Sequence, residues 1–110
     1  LLFFCGRRLL LRIEGRSMHP TLQPGDRVLV RHLGSNPTLR VGSVLVTWHP
    51  QRSDIRLIKR LMRLESTGLW LLGDNKAEST DSRQLGPVAT SLLIGEVVAR
   101  LPTRGSEQDR

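Results

Sequence analysis

The chain has 110 residues, 38% of them hydrophobic and 25% charged, which fits one globular domain and excludes a disordered segment or two separate domains. Its formal net charge of +7 comes from fifteen arginines beside two lysines, scattered from Arg7 to Arg110. There are two Phe and two Trp, and the chain has no zinc-finger spacing or aromatic RNA-binding motif, so the charge reads as a basic surface and no nucleic-acid partner is expected. Cys5 is the only cysteine, which excludes an internal disulfide. With His19, His32 and His49 far apart in sequence, no metal or other cofactor is expected.

The start, Leu1-Leu2-Phe3-Phe4-Cys5-Gly6, is apolar and is stopped by Arg7-Arg8. A spanning helix needs about twenty apolar residues, so no transmembrane segment is expected here. Residues 1–14 read as an apolar and basic lead-in, of which residues 1–13 can rest on a membrane surface or on the protein's own core. Next comes a glycine- and proline-bearing turn around Ser17, followed by Arg27-Val28-Leu29-Val30-Arg31, a first strand ended by Gly34-Ser35-Asn36-Pro37. Val44-Leu45-Val46-Thr47-Trp48 is a second. Residues 54–65 fit two periods: Ile55, Ile58, Leu61 and Met62 make a helical stripe, while Ile55, Leu57, Lys59 and Leu61 alternate as one strand face. The short neighbouring strands and Gly/Pro punctuation favour the strand. Leu69-Trp70-Leu71-Leu72 is the next, cut by Gly73-Asp74-Asn75, and residues 92–101 are the last, with Gly95 as a bulge. Residues 102–110 form a polar tail. The expectation is a small, mainly β, mostly antiparallel domain over residues 15–101.

Three blocks carry chemistry. Ser17 sits in Gly15-Arg16-Ser17-Met18-His19-Pro20-Thr21-Leu22, a setting that can hold a hydroxyl rigid and exposed, as a nucleophile requires. Lys59 falls on the apolar face of its strand. An ordinary lysine is almost wholly protonated near neutral pH, but burial lowers its pKa, and a neutral lysine can take the proton of a serine hydroxyl; arginine cannot. The alternative for Lys59 is a side chain snorkelling past an apolar face. The third block runs Leu72-Gly73-Asp74-Asn75, then Ser79-Thr80-Asp81-Ser82-Arg83, then Gly86-Pro87-Val88. It is rich in Asx and Ser turns; Asp81 and Arg83 can pair, and Ser79 can orient the lysine amine if the loop folds back over it.

Together the blocks GRSMHPTLQPGDRVLV, LIKRL and LLGDNKAESTDSRQLGPV resemble the type I signal peptidase family of Ser-Lys serine proteases, over roughly residues 15–101. The resemblance implies a coiled antiparallel β catalytic core that binds a precursor protein as an extended added strand. It implies Ser17 as nucleophile, Lys59 as general base, Ser79 as hydrogen-bond partner of the amine, and the Ser17 N–H in the oxyanion hole. Gly15 stands where some members add a hydroxyl, which leaves backbone donors alone. Met18 is implied to pack beneath the site, and Arg60 with Asp74, and Arg83 with Asp81, to form ion pairs.

Gly73 follows Lys59 by only fourteen positions, so the large insertion domain of bigger signal peptidases is missing there. This compact pattern resembles the nickel-type superoxide dismutase maturation branch, which implies a bacterial protease, cytoplasmic or peripherally membrane-associated, acting on that precursor. The alternatives are a general signal peptidase processing exported preproteins at the membrane, a self-cleaving repressor-type relative, a Ser-His-Asp enzyme using one of the three histidines, and a catalytically inactive basic binding module.

Overall fold

The computed structural model describes residues 8–103. Among them, six strands form one antiparallel sheet: β1 (Arg8–Arg12), β2 (Arg27–His32), β3 (Val44–Trp48), β4 (Arg56–Glu65), β5 (Gly68–Leu72) and β6 (Leu93–Leu101), with a single four-residue helix, α1 (Ser82–Leu85). The spatial order is β1-β2-β6-β3-β4-β5. The mainly β, antiparallel expectation is met, and residues 56–65 take the strand alternative.

Period-2 patterning explains the strands. In β2, Val28 and Val30 are fully buried, while Arg27 on the opposite face is exposed and Leu29 and Arg31 beside it are only partly buried. Alternation in β4 puts Leu57, Lys59 and Leu61 on one face and Ile58 and Arg60 on the other. The sheet has a core on each face. One gathers Ile13, Met18, Leu22, Val28, Val30, Val46 and Ile94; the other gathers Leu45, Leu61, Leu69, Leu71 and Val88. Deleting a buried leucine side chain in either cluster costs about 2–5 kcal/mol.

β1 is not among the strands that the sequence predicts. It pairs with β2 from Arg8↔Arg31 to Arg12↔Arg27, and Leu9 and Leu11 pack on the first core. The described part of the lead-in therefore rests on the protein's own core; residues 1–7, on which the rest of the membrane-contact expectation falls, lie outside the described residues. Gly95, expected as the bulge, abuts one instead. The register passes from Val46↔Gly95 to Thr47↔Leu93, so Ile94 is the extra residue. Gly95 is needed for a different reason: a Cβ there would collide with the Arg31 carbonyl.

Two of the open strand edges in this sheet bear on the site. β1 has β2 on one side and, among the described residues, no strand on the other. β4 pairs with β3 over Arg56 to Arg60 and with β5 over Arg60 to Glu65, so the second edge of residues 56–59 is unpaired.

Candidate active site

The open edges of β1 and β4 border one cleft of about 490 Å³, lined by residues 11–14 within and after β1, by residues 55–59 at the start of β4, and by Ser17 and Met18. Three strands separate β1 from β4 in the sheet, so a shared cleft requires the sheet to coil until its edges face each other. Ser17 and Lys59, 42 positions apart in sequence, are thereby brought to the same cavity.

The loop carrying Ser17 is fixed from both sides. Gly15, at φ +76°, makes the turn out of the β1 extension. The His19 N–H donates to Arg16 O (3.1 Å) and the Leu22 N–H to Met18 O (2.9 Å). From the neighbouring loop, the Asn75 N–H donates to Ser17 O (2.8 Å) and Asn75 Nδ2 to Arg16 O (3.0 Å). Met18 is buried in the core below, its Sδ accepting the Asp74 N–H at 3.4 Å. Among the described residues the Ser17 N–H has no acceptor, so this donor is free for an oxyanion.

Lys59 is 5% exposed and lies opposite Leu45 of β3. Burial pushes its pKa below the ordinary value; the Asp81 carboxylate opposes this in part and Arg83 adds to it. Neither Lys59 Nζ nor Ser17 Oγ is hydrogen-bonded to a described residue, and both residues line the cleft. Catalytic hydrogen bonds commonly tighten only once substrate is in place.

Ser79 is buried, and its hydroxyl donates to Asp81 Oδ2 at 2.6 Å; the expected bond to the lysine amine is not formed in this arrangement. With its proton given to Asp81, Ser79 Oγ has only lone pairs to offer an amine. Asp81 also accepts the Gly73 N–H (2.8 Å) and two bonds from Arg83, at 3.0 and 2.8 Å, and it caps α1 through the Arg83 N–H. Burial alone would raise the Asp81 pKa, but the Arg83 guanidinium, the Gly73 N–H and the Ser79 hydroxyl outweigh it and hold the carboxyl far below its usual range. The Asp81–Arg83 ion pair is thus present, and its charge reaches Lys59.

The second expected ion pair is also present. Arg60 donates to both Asp74 oxygens (2.9 and 2.7 Å) and to Gly42 O (2.6 Å). Arg60 holds the Asp74 carboxyl below its ordinary pKa against the effect of burial, with help from Thr21, whose Oγ1 donates to Asp74 Oδ2 at 2.6 Å.

Sequence reasoning misses three contributors. Thr21 belongs to the serine block, but nothing in that block signals that it braces Asp74. Gly73 has room for no side chain, because a Cβ would collide with the Ser79 hydroxyl and the Ser17 carbonyl. The cleft walls at residues 11–14 and 55–58 carry no chemical signal at all. None of the three histidines lines the cleft.

The Peptidase S24-like family matches residues 6–98. The chain belongs to this family. A mitochondrial ATP-independent inner membrane protease subunit 1a of Arabidopsis thaliana is 31% identical, over 81% of this chain and 67% of that protein. A mitochondrial inner membrane protease subunit 1 of Xenopus tropicalis is 29% identical, over 80% and 65%. A subunit 2 of Schizosaccharomyces pombe is 30% identical, over 81% and 62%. The chain thus spans about two thirds of the length of these relatives. As an S24-like domain, it is of the signal-peptidase-like kind read from its three blocks. The nickel-type branch is not distinguished by these relatives. They are eukaryotic and named for a mitochondrial membrane, so they give no support for the bacterial setting that the resemblance implied. Among the described residues no helix is long and apolar enough to cross a membrane.

Proposed function

We propose that the protein is a serine endopeptidase with a Ser17/Lys59 dyad that removes an N-terminal leader from a precursor protein. The observation that carries this reading is the convergence of Ser17 and a buried lysine of lowered pKa on one cleft whose walls are unpaired strand edges. An extended peptide laid between those edges takes up their free N–H and C=O groups, and its scissile carbonyl meets Ser17.

Neutral Lys59 accepts the Ser17 proton as Oγ bonds to the carbonyl carbon. The oxyanion is held by the Ser17 N–H. Collapse breaks the C–N bond, the lysine's proton passes to the leaving amine, and the acyl-enzyme remains. Water then gives a proton to Lys59 and its oxygen to the acyl carbon, and the return of that proton frees Ser17. Ser79, its own proton committed to Asp81, accepts a hydrogen bond from the amine and aims the Nζ lone pair.

Ser17→Ala and Lys59→Ala are each expected to cut precursor cleavage by about 10³-fold or more with the fold intact by circular dichroism. Full activity in purified Lys59→Ala would refute the dyad. For the substrate, the finer proposal is a nickel-type superoxide dismutase precursor: incubation with it and sequencing of the new N-terminus gives the answer. The names of the relatives favour a second reading, processing of precursors at a membrane, which predicts cleavage of a membrane-directed presequence and none of the dismutase leader.

A further inference from the structure

Among the described residues, one buried side-chain polar atom has no hydrogen-bond partner: Thr47 Oγ1. Thr47 is fully buried in β3, with Leu57 of β4 opposite it on one side and Leu93 of β6 on the other. Valine would fill that place with nearly the same shape and leave nothing unpaired, so packing alone does not account for a hydroxyl here. The strand register offers a reason. Leu45 pairs with Lys59 and Thr47 with Leu57, so Thr47 and Lys59 lie on one face as diagonal neighbours. Such a diagonal is about 7–8 Å, within reach of a long side chain. The Lys59 amine is likewise without a hydrogen bond to a described residue.

We propose that Thr47 is a positioning residue for Lys59, its hydroxyl accepting a hydrogen bond from the amine. The inference rests on the Ser17/Lys59 reading and deepens it. A neutral amine has two N–H bonds and one lone pair, set tetrahedrally. Ser79, its proton given to Asp81, can accept one N–H. Thr47 accepts the second, and the lone pair is left to Ser17. With one acceptor the amine would turn about that single bond, and its lone pair would point away from Ser17 for much of the time. The ammonium keeps both acceptors when it forms, so Thr47 also favours the charged amine. The charges that act on Lys59 from the loop are Asp81 and Arg83, and Arg12, Glu14 and Arg56 line the same cleft. Glu96 stands beyond Leu45 in the row of Lys59 and is engaged by Arg31 at 2.7 Å. None of these is bonded to Thr47, so a change there isolates the hydroxyl.

Thr47→Val removes the hydroxyl and keeps the shape, whereas Thr47→Ser keeps the hydroxyl. The chain has two lysines, so isotope-labelled lysine followed by NMR gives two side-chain signals, and Lys59→Arg identifies the one from Lys59. In the full chain carrying Thr47→Val, the Lys59 titration should move down by about half a pH unit or more while Lys76 stays where it was. On the plateau above that titration, kcat for peptide cleavage should fall by about tenfold or more with little change in KM. Thr47→Ser should restore both. Thr47→Ala gives the same readout should valine disturb the fold by circular dichroism. A Lys59 titration that does not move overturns the inference, and so does a loss of activity that Thr47→Ser fails to restore. A shifted titration in a chain that cleaves no precursor would instead refute the protease reading and leave the bond between Thr47 and the amine standing.

Discussion

Lys59 is distinguished from the other cationic side chains by where its strand puts it. The alternation of Ile55, Leu57, Lys59 and Leu61 is legible in the sequence, and the structure places the amine on that face, opposite Leu45. The proposed mechanism needs Lys59 neutral, so activity should rise as pH climbs through its lowered pKa, and the limb should lie below the ordinary lysine value of about 10.4. A kcat/KM profile against pH measures this. Lys59→Arg keeps the charge and cannot lose it, so it should lose activity by about a hundredfold or more, whereas a merely structural cation would be rescued. Ser79 is harder to read. Spacing shows that its loop can fold back, but not that Asp81, two residues on, takes its proton, since that depends on the turn into α1.

The loop from Leu72 to Arg83 works as a clamp on the Ser17 turn. Gly73 passes between the Ser17 carbonyl and the Ser79 hydroxyl, and Asn75 and Asp74 reach Ser17, Arg16 and Met18. Gly73→Ala should therefore destabilise the fold by about 1–3 kcal/mol and displace Ser17, with a fall in kcat larger than any change in KM. Thermal unfolding and steady-state kinetics on the same sample separate the two effects. Thr21→Val removes one bond to Asp74, with a milder cost of about 0.5–1.5 kcal/mol. Of the strands, β2 to β6 are readable because turn residues frame apolar runs. β1 is not: Arg8-Leu9-Leu10-Leu11-Arg12 has no clean alternation, since its outer residue Leu10 is as apolar as its core residues. Only pairing with β2 decides its state.

The molecule as a whole depends on acidic groups held ionised. Asp26, Asp74 and Asp81 all have pKa values lowered by their partners, and Asp26 and Asp81 are buried. Their stabilisation is fully present above the unfolded carboxylate value of about 4 and is lost as pH falls below it. The Lys59 pKa is lowered too, but at a cost to the fold: burial disfavours the charged amine that the unfolded chain carries, so stability increases as pH rises from the folded pKa to the unfolded one. Urea unfolding midpoints across pH should fall steeply on the acid side, and Asp81→Asn should flatten that fall. The two-sided core explains why composition alone indicates the class of fold but not its shape: coiling of the sheet depends on which strands share each core.

That coiling leaves a seam. An unpaired strand edge is ordinarily a template on which other chains aggregate, and proteins hide or disrupt it. Here two such edges border one cleft, and on the proposed function a substrate strand would be the missing stave of a barrel. A non-cleavable peptide spanning the cleft should then act as a folding ligand, raising the unfolding temperature with concentration as mass action requires. The protein would be most completely folded while it is at work.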